Sequence, residues 1–403
     1  MKKPLEGVRV IDCGIYHAGP GGPAILGDLG AEVIKIERPK TGDPVRTIKR
    51  IGTVHLELPG GRSLFFEGAN RNKKSLTLDL STPEGQAILH RLASRSDVFM
   101  TNMRRPAVER LNITYPVLKK INPGLIYAAV SAFGPQGPDR DKGGFDYQGQ
   151  ARSGFMYALG EEGMPPLVSQ FGIIDQVTAI MASHQILTAL YMRERTGAGQ
   201  QVHVSILGSA TFLLYFNILI AQMGGFEVPR HNHAAAHPRR NHYRCADDRW
   251  LMMTLTPPER FWGPLCRALG RPDLEKDPRF DTDEKRFEKS AELVAIFDGI
   301  FMKRPCREWL DIFSEYDLFC CGVNSFMELE HDPQITENGY LTDMDHPTLG
   351  KIKTPGYPVH FNGNRVEANR AAPELGEHTD EILTEVGGYS LAEIKRFRED
   401  GVI

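Results

Sequence analysis

The sequence predicts an α/β fold, with a large domain built on an open, Rossmann-like parallel sheet and a smaller α+β domain. Two observations support this prediction. Short Val/Ile-rich runs alternate with helical segments in the first half of the chain, and the composition changes at Pro229. Because 403 residues are long for a single core, we expect the second half to form a domain of its own.

The chain begins with a predicted β-α-β unit. A strand at residues 8–13 is followed by a glycine-rich loop at 14–23, a helix at 24–30 and a second strand at 31–37. Two strands joined in this way pair in parallel. The loop glycines do not fit the pattern G-x-G-x-x-G, so a nicotinamide dinucleotide site is only weakly supported.

A second unit follows, with strands at 74–80 and 97–102 around a helix at 82–93, and another strand at 124–133. In an open parallel sheet, ligands bind beyond the carboxyl ends of the strands. That edge is predicted to carry the loop Tyr16–Gly22, Arg38, Asn102, Arg104 and Arg105.

Asp175 ends a proline-containing loop and precedes the apolar segment 176–192, which predicts a long helix. An aspartate at such a junction is usually an N-cap, whose carboxylate accepts hydrogen bonds from free backbone N–H groups. The same donors and the helix dipole are expected to keep the carboxylate anionic, and Gly172 leaves room for a substrate. Asp175 is therefore a candidate nucleophile as well as a candidate cap.

The second half opens with a loop at residues 230–244 that contains four histidines. Its H-N-H-x-x-x-H spacing has no carboxylate beside it, which is more typical of an exposed or substrate-covering loop than of a metal site. We therefore predict no bound metal. A strand at 250–255 and helices around 261–269, 292–302 and 308–316 are expected to build the smaller domain.

The composition disfavours several classes of protein. A net charge of -3 and a pI near 6.5 give no basic field for nucleic acid. The longest apolar run, residues 210–223, is shorter than a membrane span and predicts a core or dimer helix. Six cysteines without a C-x-x-C pair indicate reduced, mostly buried thiols in a cytoplasmic protein, with neither nucleic acid nor membrane as a partner.

Several motifs occur in a specific order along almost the whole chain. They include P-L-E-G-V-R-V-I-D, L-G-A-E-V-I-K-I-E-R, K-K-S-L-T-L-D-L, S-A-F-G-P-Q-G-P, G-G-F-D-Y-Q-G-Q-A-R-S-G and L-G-E-H-T-D-E-I-L. In this order the chain resembles the class III CoA-transferases (CaiB/BaiF type), which include formyl-CoA, carnitine and aryl-lactate CoA-transferases. The resemblance implies transfer of CoA from an acyl-CoA donor to a carboxylic acid, with CoA as a substrate and no permanently bound cofactor.

The resemblance also implies which residues act. The nucleophile is placed at Asp175, which would pass through a mixed anhydride to an aspartyl-CoA thioester. Asp146 and His17 are implied as accompanying catalytic residues. Asp146 is expected to support the geometry of the site, with a turn residue bonded to its own backbone as the alternative. CoA contacts are implied for His17, Ala18, Arg38, Leu78, Asn102 and Arg110, and Arg104 is also available to the CoA phosphates.

The chain departs from formyl-CoA transferase at two places. His17 stands where that enzyme has glutamine, and the shielding glycine run is replaced by the His/Arg-rich loop 230–244. The segment G-P-D-R-D-K-G-G-F-D-Y is more similar to the aryl-lactate branch. The acceptor is therefore expected to be a 2-hydroxy acid or another bulky carboxylate.

Two other functions remain as alternatives. An α-methylacyl-CoA racemase shares the resemblance, but such enzymes have G-H-D where this chain has Gly144-Phe145-Asp146, and a phenylalanine cannot accept a proton. A catalytically silent CoA-binding protein would keep the arginines but lack a nucleophile such as Asp175.

The resemblance further implies a ring-shaped chain in an interlocked homodimer. The corresponding organisation is a large CoA-binding domain at 1–205 completed by 375–403, a linker helix at 206–229, a small domain at 230–330 and a returning linker at 331–374.

Overall fold

The computed structural model describes residues 3–366 and 370–403. Its strands are β1 (Arg9–Asp12), β2 (Glu32–Glu37), β3 (Arg50–Ile51), β4 (Val54–His55), β5 (Lys73–Thr77), β6 (Val98–Thr101), β7 (Ile126–Ser131), β8 (Gln201–Ser205), β9 (Arg240–Arg244), β10 (Trp250–Thr254), β11 (Cys320–Gly322), β12 (Leu341–His346) and β13 (Gly350–Pro355).

The α-helices are α1 (Gly21–Asp28), α2 (Leu64–Asn70), α3 (Pro83–Ala93), α4 (Arg105–Arg110), α5 (Tyr115–Ile121), α6 (Asp146–Ser153), α7 (Phe155–Ala158), α8 (Ile173–Thr196), α9 (Ile206–Leu213), α10 (Tyr215–Leu219), α11 (Pro258–Ala268), α12 (Asp283–Glu288), α13 (Ser290–Phe301), α14 (Cys306–Glu315), α15 (Pro333–Glu337), α16 (Thr379–Glu385) and α17 (Leu391–Glu399).

The chain divides into two compact units. The larger unit combines the described parts of Met1–Met156, Val168–Phe226 and Pro333–Ile403, and the smaller unit combines Tyr157–Leu167 with Glu227–Asp332. Each unit has its own buried core.

The larger unit holds a six-stranded sheet in the order β5-β2-β1-β6-β7-β8, with every neighbouring pair parallel. The strand order reverses between β1 and β6. At such a reversal the loops after the two strands leave in opposite directions, and a crevice opens at the carboxyl edge of the sheet. The predicted open parallel α/β sheet is thus confirmed.

Both faces of this sheet are buried, because successive residues of a strand point to opposite sides. In β1, Ile11 packs in a cluster with residues of α3, α16 and α17, whereas Val10 packs in a cluster with residues of α1, α8 and α9. Strand β6 is buried at all four positions. Two covered faces explain why these strands are continuous apolar runs in the sequence.

The C-terminal segment completes the larger unit by packing on β5. Ser75 donates its N–H to His378 Nδ1 (3.3 Å), and His378 donates its own N–H to Ser75 O (3.0 Å). Asp79 N donates to Val402 O at 2.7 Å. β5 and the C-terminal segment, more than 300 positions apart in the chain, are therefore joined by backbone hydrogen bonds and by one bond to the His378 ring.

The smaller unit contains an antiparallel sheet in the order β11-β10-β9 and the helices α11 to α14. Its core includes Tyr243, Phe297, Phe301 and Trp309. Residues 240–244, which the sequence placed in a loop, form β9 instead. They are extended because they pair along their whole length with β10.

The apolar run around residues 210–223 is bent and exposed. It forms α9, α10 and a π-helical turn at Ile220–Gly224. Phe216 is 73% exposed and Met223 is 78% exposed, so the predicted core burial is not found within this chain. No single described helix is long and apolar enough to cross a membrane, although the pair Ile206–Leu213 and Tyr215–Gly224, bent by 73°, meets the length and composition requirements.

Candidate active site

The loop after β1 is fixed from the side by Asn102, which follows β6. Asn102 Oδ1 accepts a hydrogen bond from Ile15 N (2.9 Å), and Asn102 Nδ2 donates to Ile15 O (2.7 Å). A Cβ on Gly19 would lie 2.8 Å from the Asn102 side chain, so glycine allows this close approach. The Asn102 amide thus joins the ends of the two strands that border the crevice.

Two buried lysines, one in β2 and one in β5, also bind the backbone of this loop. Lys73 Nζ lies 2.6 Å from Asp12 Oδ2 and donates to Pro20 O (2.8 Å). Lys35 Nζ donates to Gly14 O (2.9 Å). Burial lowers the pKa of Lys73 to about 8, and the opposite charge of Asp12 limits the shift. Because charged donors make strong hydrogen bonds to carbonyl groups, the loop has a defined shape without a ligand.

Asp175 lies in the first turn of α8. Gly172 is the N-cap residue, with a left-handed backbone (φ 71°), and Asp175 is the third residue of the helix. The prediction that Asp175 caps the helix is therefore wrong. The helix begins earlier because a side chain from another helix bonds its free N–H groups.

That side chain is Asp146, the buried first residue of α6. Its Oδ2 accepts hydrogen bonds from the N–H groups of Ile174 (2.7 Å) and Asp175 (3.0 Å). Its Oδ1 accepts a hydrogen bond from the Gln150 side-chain amide. Both oxygens of Asp146 are therefore engaged, and they hold the backbone of Asp175 in place.

The carboxylate of Asp175 has no such support. Its Oδ1 is buried and has no hydrogen-bond partner within the described residues, while the residue as a whole is partly exposed. Burial, reinforced by the negative charge of Asp146, raises the pKa of Asp175 from 3.8 to about 7. The expectation that helix-start donors keep Asp175 anionic is wrong, because those donors serve Asp146.

His17 lies beside the first turn of α8. Its Nε2 is 2.8 Å from Gln176 Oε1. Burial lowers the pKa of His17 although the bond to Gln176 opposes the shift, so the ring is neutral at pH 7 and donates its Nε2–H. A Cβ on Gly21 would lie 2.6 Å from the Cβ of Ala179, so this glycine lets α1 approach α8 closely.

A cavity of about 1120 Å³ opens at the carboxyl ends of β1, β6 and β7. Ligand pockets usually measure roughly 300–1,000 Å³, so this one has room for a large ligand. Of the residues predicted for the site, the cavity is lined by Ala18, Asn102, Arg104 and Asp175.

The other predicted residues lie outside this lining. His17 and Asp146 contact α8 beside it. Leu78 is only 1% exposed, because its side chain belongs to the core and its N–H donates to Glu37 O at 2.7 Å. Arg38 and Arg110 are exposed.

Arg104 differs from its neighbour in having no ionic partner. The Arg105 guanidinium lies 3.0 Å from Glu109, whereas that of Arg104 makes no ion pair or hydrogen bond with any described residue. The same holds for the guanidinium groups of Arg38 and Arg110 in the described parts of the chain. These three arginines are therefore available to an anionic ligand.

Sequence reasoning placed Tyr16 in the loop at this edge and used Phe145 only against a racemase, but it did not predict the aromatic contact between them and it missed Gln176. Tyr16 has a left-handed backbone (φ 63°), and its ring packs edge-on against Phe145 at 5.5 Å. Phe145 is 59% exposed and lines the cavity. Gln176 binds His17. The available signal was their position in the sequence, since Phe145 precedes Asp146 and Gln176 follows Asp175.

Within the described residues, the cavity brings together the Asp175 carboxylate, whose Oδ1 has no partner, the unpaired guanidinium of Arg104 and the exposed ring of Phe145. A carboxylate with a raised pKa is a strong nucleophile once it is ionised. The geometry therefore suits covalent chemistry on a large anionic substrate.

Comparison with known proteins matches residues 5–379 to the model of CoA-transferase family III. The chain is 31% identical over 400 residues to the (R)-2-hydroxy-4-methylpentanoate CoA-transferase of Clostridioides difficile, with 99% of each protein covered. It is 32% identical over 406 residues to the succinyl-CoA:glutarate CoA-transferase of Mus musculus, covering 100% of this chain and 90% of the mouse protein.

Among solved structures, the chain is similar to a CAIB/BAIF family protein from Brucella suis. The TM-score is 0.85 and the sequence identity 28%, and the match covers 96% of this chain and 100% of the other.

Proposed function

Because this chain belongs to CoA-transferase family III, we propose that it moves CoA from an acyl-CoA donor to a carboxylic acid by covalent catalysis at Asp175. CoA enters and leaves as a thioester, and no cofactor stays bound between turnovers. The observation that carries this proposal is the carboxylate of Asp175, whose Oδ1 has no partner in the described residues and which lines the large cavity.

In the first half-reaction, an Asp175 oxygen attacks the thioester carbonyl carbon of the donor. The C–S bond breaks, and a mixed anhydride and a CoA thiolate form. The thiolate then attacks the aspartyl carbonyl carbon, the anhydride C–O bond breaks, and the donor leaves as a carboxylate. Asp175 is now a thioester of CoA.

The second half-reaction reverses these steps with the acceptor. The acceptor carboxylate attacks the aspartyl thioester and expels the thiolate, which then attacks the acceptor carbonyl of the new anhydride. The products are the acceptor-CoA thioester and a free Asp175 carboxylate. No net proton transfer is needed, and the energy of the thioester bond is conserved.

The unpartnered state of Asp175 favours the first attack. A carboxylate bonded to several donors has a low pKa and loses those hydrogen bonds when it becomes an ester. Asp175 loses none at Oδ1, and its pKa of about 7 makes it more basic than an ordinary aspartate. The same pKa means that the nucleophilic form increases as the pH rises through 7.

Asp146 acts as a positioning residue in this mechanism, because its carboxylate holds the backbone of Asp175. His17 has a different role. Its neutral ring is held by Gln176, and we propose that His17 and Ala18 contact the CoA thioester side of the substrate. A loop fixed before binding lowers the entropy cost of holding the thiolate next to the anhydride.

The CoA phosphates are proposed to bind the unpaired guanidinium groups of Arg38, Arg104 and Arg110. Asn102 serves CoA mainly by holding the loop at Ile15, since both of its amide groups are used there.

The acceptor is proposed to be a 2-hydroxy acid or another bulky carboxylic acid. Tyr16, Phe145 and Phe171 offer aromatic surface in the region of Asp175, and Phe171 is 49% exposed. An apolar acyl chain is stabilised on such a surface by roughly 25 cal/mol per Å² of buried area. The similarity to the enzyme named for (R)-2-hydroxy-4-methylpentanoate supports the same class.

Two copies of the chain are proposed to form an interlocked homodimer. Phe212, Phe216 and Met223 lie in one segment and expose much of their apolar surface, which is typical of a protein–protein interaction site. In the proposed organisation the large CoA-binding domain is 1–205 with 375–403, and 206–229 and 331–374 link it to the small domain. The free state of all six cysteines is compatible with the proposed cytoplasmic location.

Oxygen labelling tests the covalent mechanism directly. If the acceptor carries ¹⁸O in its carboxylate, each completed turnover leaves one acceptor oxygen on Asp175. Incubation with an acyl-CoA and labelled 2-hydroxy-4-methylpentanoate, followed by peptide mass spectrometry, is expected to show the label on the peptide that contains Asp175. Borohydride added during turnover is expected to reduce the aspartyl thioester on the same peptide.

Asp175→Asn serves as the control, because it keeps the shape of the side chain without the nucleophile. It is expected to bind acyl-CoA and to show no exchange. Exchange by this variant, or turnover that leaves no label on Asp175, would contradict the mechanism. Loss of stereochemistry at the α-carbon without CoA transfer would indicate the racemase alternative instead.

A further inference from the structure

Three histidines of the smaller unit lie close together. His231, His233 and His242 each have a ring nitrogen within 4.8 Å of the others, and all three are partly buried. The ring of His242 lies between the other two, at centroid distances of 5.0 Å and 5.1 Å. This histidine cluster has no part in the mechanism proposed above.

Asn241 occupies the centre of the cluster. Its Oδ1 is 3.1 Å from His231 Nε2 and 3.1 Å from His233 Nδ1, and it also accepts the backbone N–H of His242 at 2.9 Å. The amide orientation is fixed, because Nδ2 donates to His233 O at 2.9 Å. An amide oxygen has two lone pairs, so the His242 N–H and a proton on His231 Nε2 use both, and no acceptor position is left for His233 Nδ1.

Asp298 of α13 sets the tautomer of His233. The His233 Nε2 atom lies 3.0 Å and 3.2 Å from the two carboxylate oxygens, so it carries the proton and donates. In the neutral ring, Nδ1 then presents a lone pair to the lone pairs of Asn241 Oδ1. Two acceptors facing each other at 3.1 Å repel, and a cation bound to both removes the repulsion.

The surroundings match a metal site in a second respect. A histidine that binds a metal usually donates its other N–H to a carboxylate, which orients the ring and raises its basicity. Asp298 and His233 form such a pair. The sequence prediction against a metal assumed that no carboxylate lies near the histidines, and that assumption is wrong because α13 supplies one.

We propose that His231, His233 and His242 bind a divalent transition-metal ion, with Asn241 Oδ1 as an oxygen ligand and Asp298 orienting His233. Imidazole ligands favour zinc over calcium or magnesium, so Zn²⁺ is the ion proposed. Zn–N bonds of 2.0–2.1 Å in a tetrahedron put the ligand atoms about 3.4 Å apart. The 3.1 Å separations are already near this value, and small rotations of His242 bring in the third ring.

The ion would link three parts of the smaller unit, namely segment 157–167, β9 and α13. His231 pairs with Glu161 as a β-bridge, and Glu162 N donates to His231 O at 2.9 Å. Asn232 Nδ2 also donates to Glu162 Oε2 at 2.8 Å. A metal at the cluster would therefore stabilise segment 157–167 against β9 and α13, which gives it a structural role.

The test uses the full chain without a histidine tag, stripped with EDTA and dialysed against ZnCl₂. We expect saturable binding of one Zn²⁺ per chain and a Tm several degrees higher with Zn²⁺ than without it. His233→Ala is expected to weaken binding at least about 100-fold, and Asp298→Asn about 10-fold. Co²⁺ in place of Zn²⁺ is expected to give the visible absorption of a tetrahedral site.

His237→Ala is the matched control. His237 lies in the same loop, but its Nε2 contacts Asp283 (3.0 Å) outside the cluster, so Zn²⁺ binding is expected to be unchanged. If His233→Ala fails to fold by near-UV circular dichroism, His242→Ala replaces it. Absence of saturable Zn²⁺ binding, or equal weakening by His237→Ala, would overturn the proposal and leave the three histidines as a hydrogen-bonded group around Asn241.

Discussion

The loop after β1 and the first turn of α8 border the same cavity, yet their polar groups are stabilised in opposite ways. In the loop, Lys35, Lys73 and Asn102 bind the backbone from two sides. At α8, Asp146 takes the free N–H groups, and Asp175 Oδ1 is left without a partner in the described residues.

The difference shows how one fold separates binding from reactivity. A satisfied loop keeps its shape and can receive a ligand at low entropy cost, whereas a reactive group has to remain unsatisfied. Asp146 allows both at once, because it accepts the N–H groups of the helix start and offers no hydrogen bond to the Asp175 carboxylate. Substitutions at four positions test this comparison.

The largest effect is expected from Lys73→Met in the satisfied region. It leaves Asp12 buried without its 2.6 Å partner, which should lower the free energy of unfolding by about 3–5 kcal/mol. Urea denaturation measures the change. Lys74→Met is the control, since Lys74 is partly exposed and pairs with Glu32 and Glu381, and its loss should cost at most about 1 kcal/mol. Equal losses would contradict the special role of the buried pair.

Asp146→Ala is expected to lower kcat by about 100-fold, because the backbone of Asp175 loses its acceptor at two N–H groups. Asp146→Asn keeps an acceptor but removes the charge that helps raise the pKa of Asp175. Its pH profile of kcat/KM should therefore shift its acid limb below pH 7. An unshifted limb in Asp146→Asn would show that burial alone sets this pKa.

Asp175→Asn is expected to stabilise the protein in a pH-dependent way. The native pKa of about 7 lies above the usual 3.8, so the folded state binds the proton more tightly and wild-type stability falls as the pH rises from about 4 to 7. The variant lacks this loss. Discounted for partial exposure, its advantage at pH 8 should be on the order of 2 kcal/mol and should vanish near pH 4. Thermal unfolding at both pH values measures it.

Arg104→Ala is expected to give the smallest effect, a rise of about 10-fold in KM for acyl-CoA with little change in kcat. The reason is the loss of one unpaired guanidinium at the cavity. Arg105→Ala is the matched control, because Arg105 already pairs with Glu109. Similar KM values for the two variants would indicate that Arg104 does not contact the phosphates.

The parallel sheet could be predicted from the sequence because strands such as β6 and β7 are buried on both faces and appear as apolar runs. Strand β9 could not be predicted in this way. Its residues, R-N-H-Y-R, are polar, and they are extended only because β10 pairs with them. Local composition carries no signal for a partner that lies further along the chain.

The sequence predicted where the candidate nucleophile lies in the chain, but it did not predict which groups surround its carboxylate. The motif order placed Asp175 before the apolar helix, yet the state of its carboxylate depends on Asp146, which lies in another helix. The same is true of His233, whose carboxylate neighbour Asp298 lies 65 positions away. In both cases the hydrogen-bond partners come from a distant part of the chain, so local sequence does not reveal them.

The bonds between β5 and the C-terminal segment have a consequence for synthesis of the chain. The bonds of Asp79 to Val402 and of Ser75 to His378 cannot form while these two C-terminal residues are still on the ribosome. At roughly 5–20 residues per second, the early strands wait on the order of 20 s or more for the last helices. The part of the sheet face that α16 and α17 later cover is exposed during that interval and is a natural surface for a chaperone.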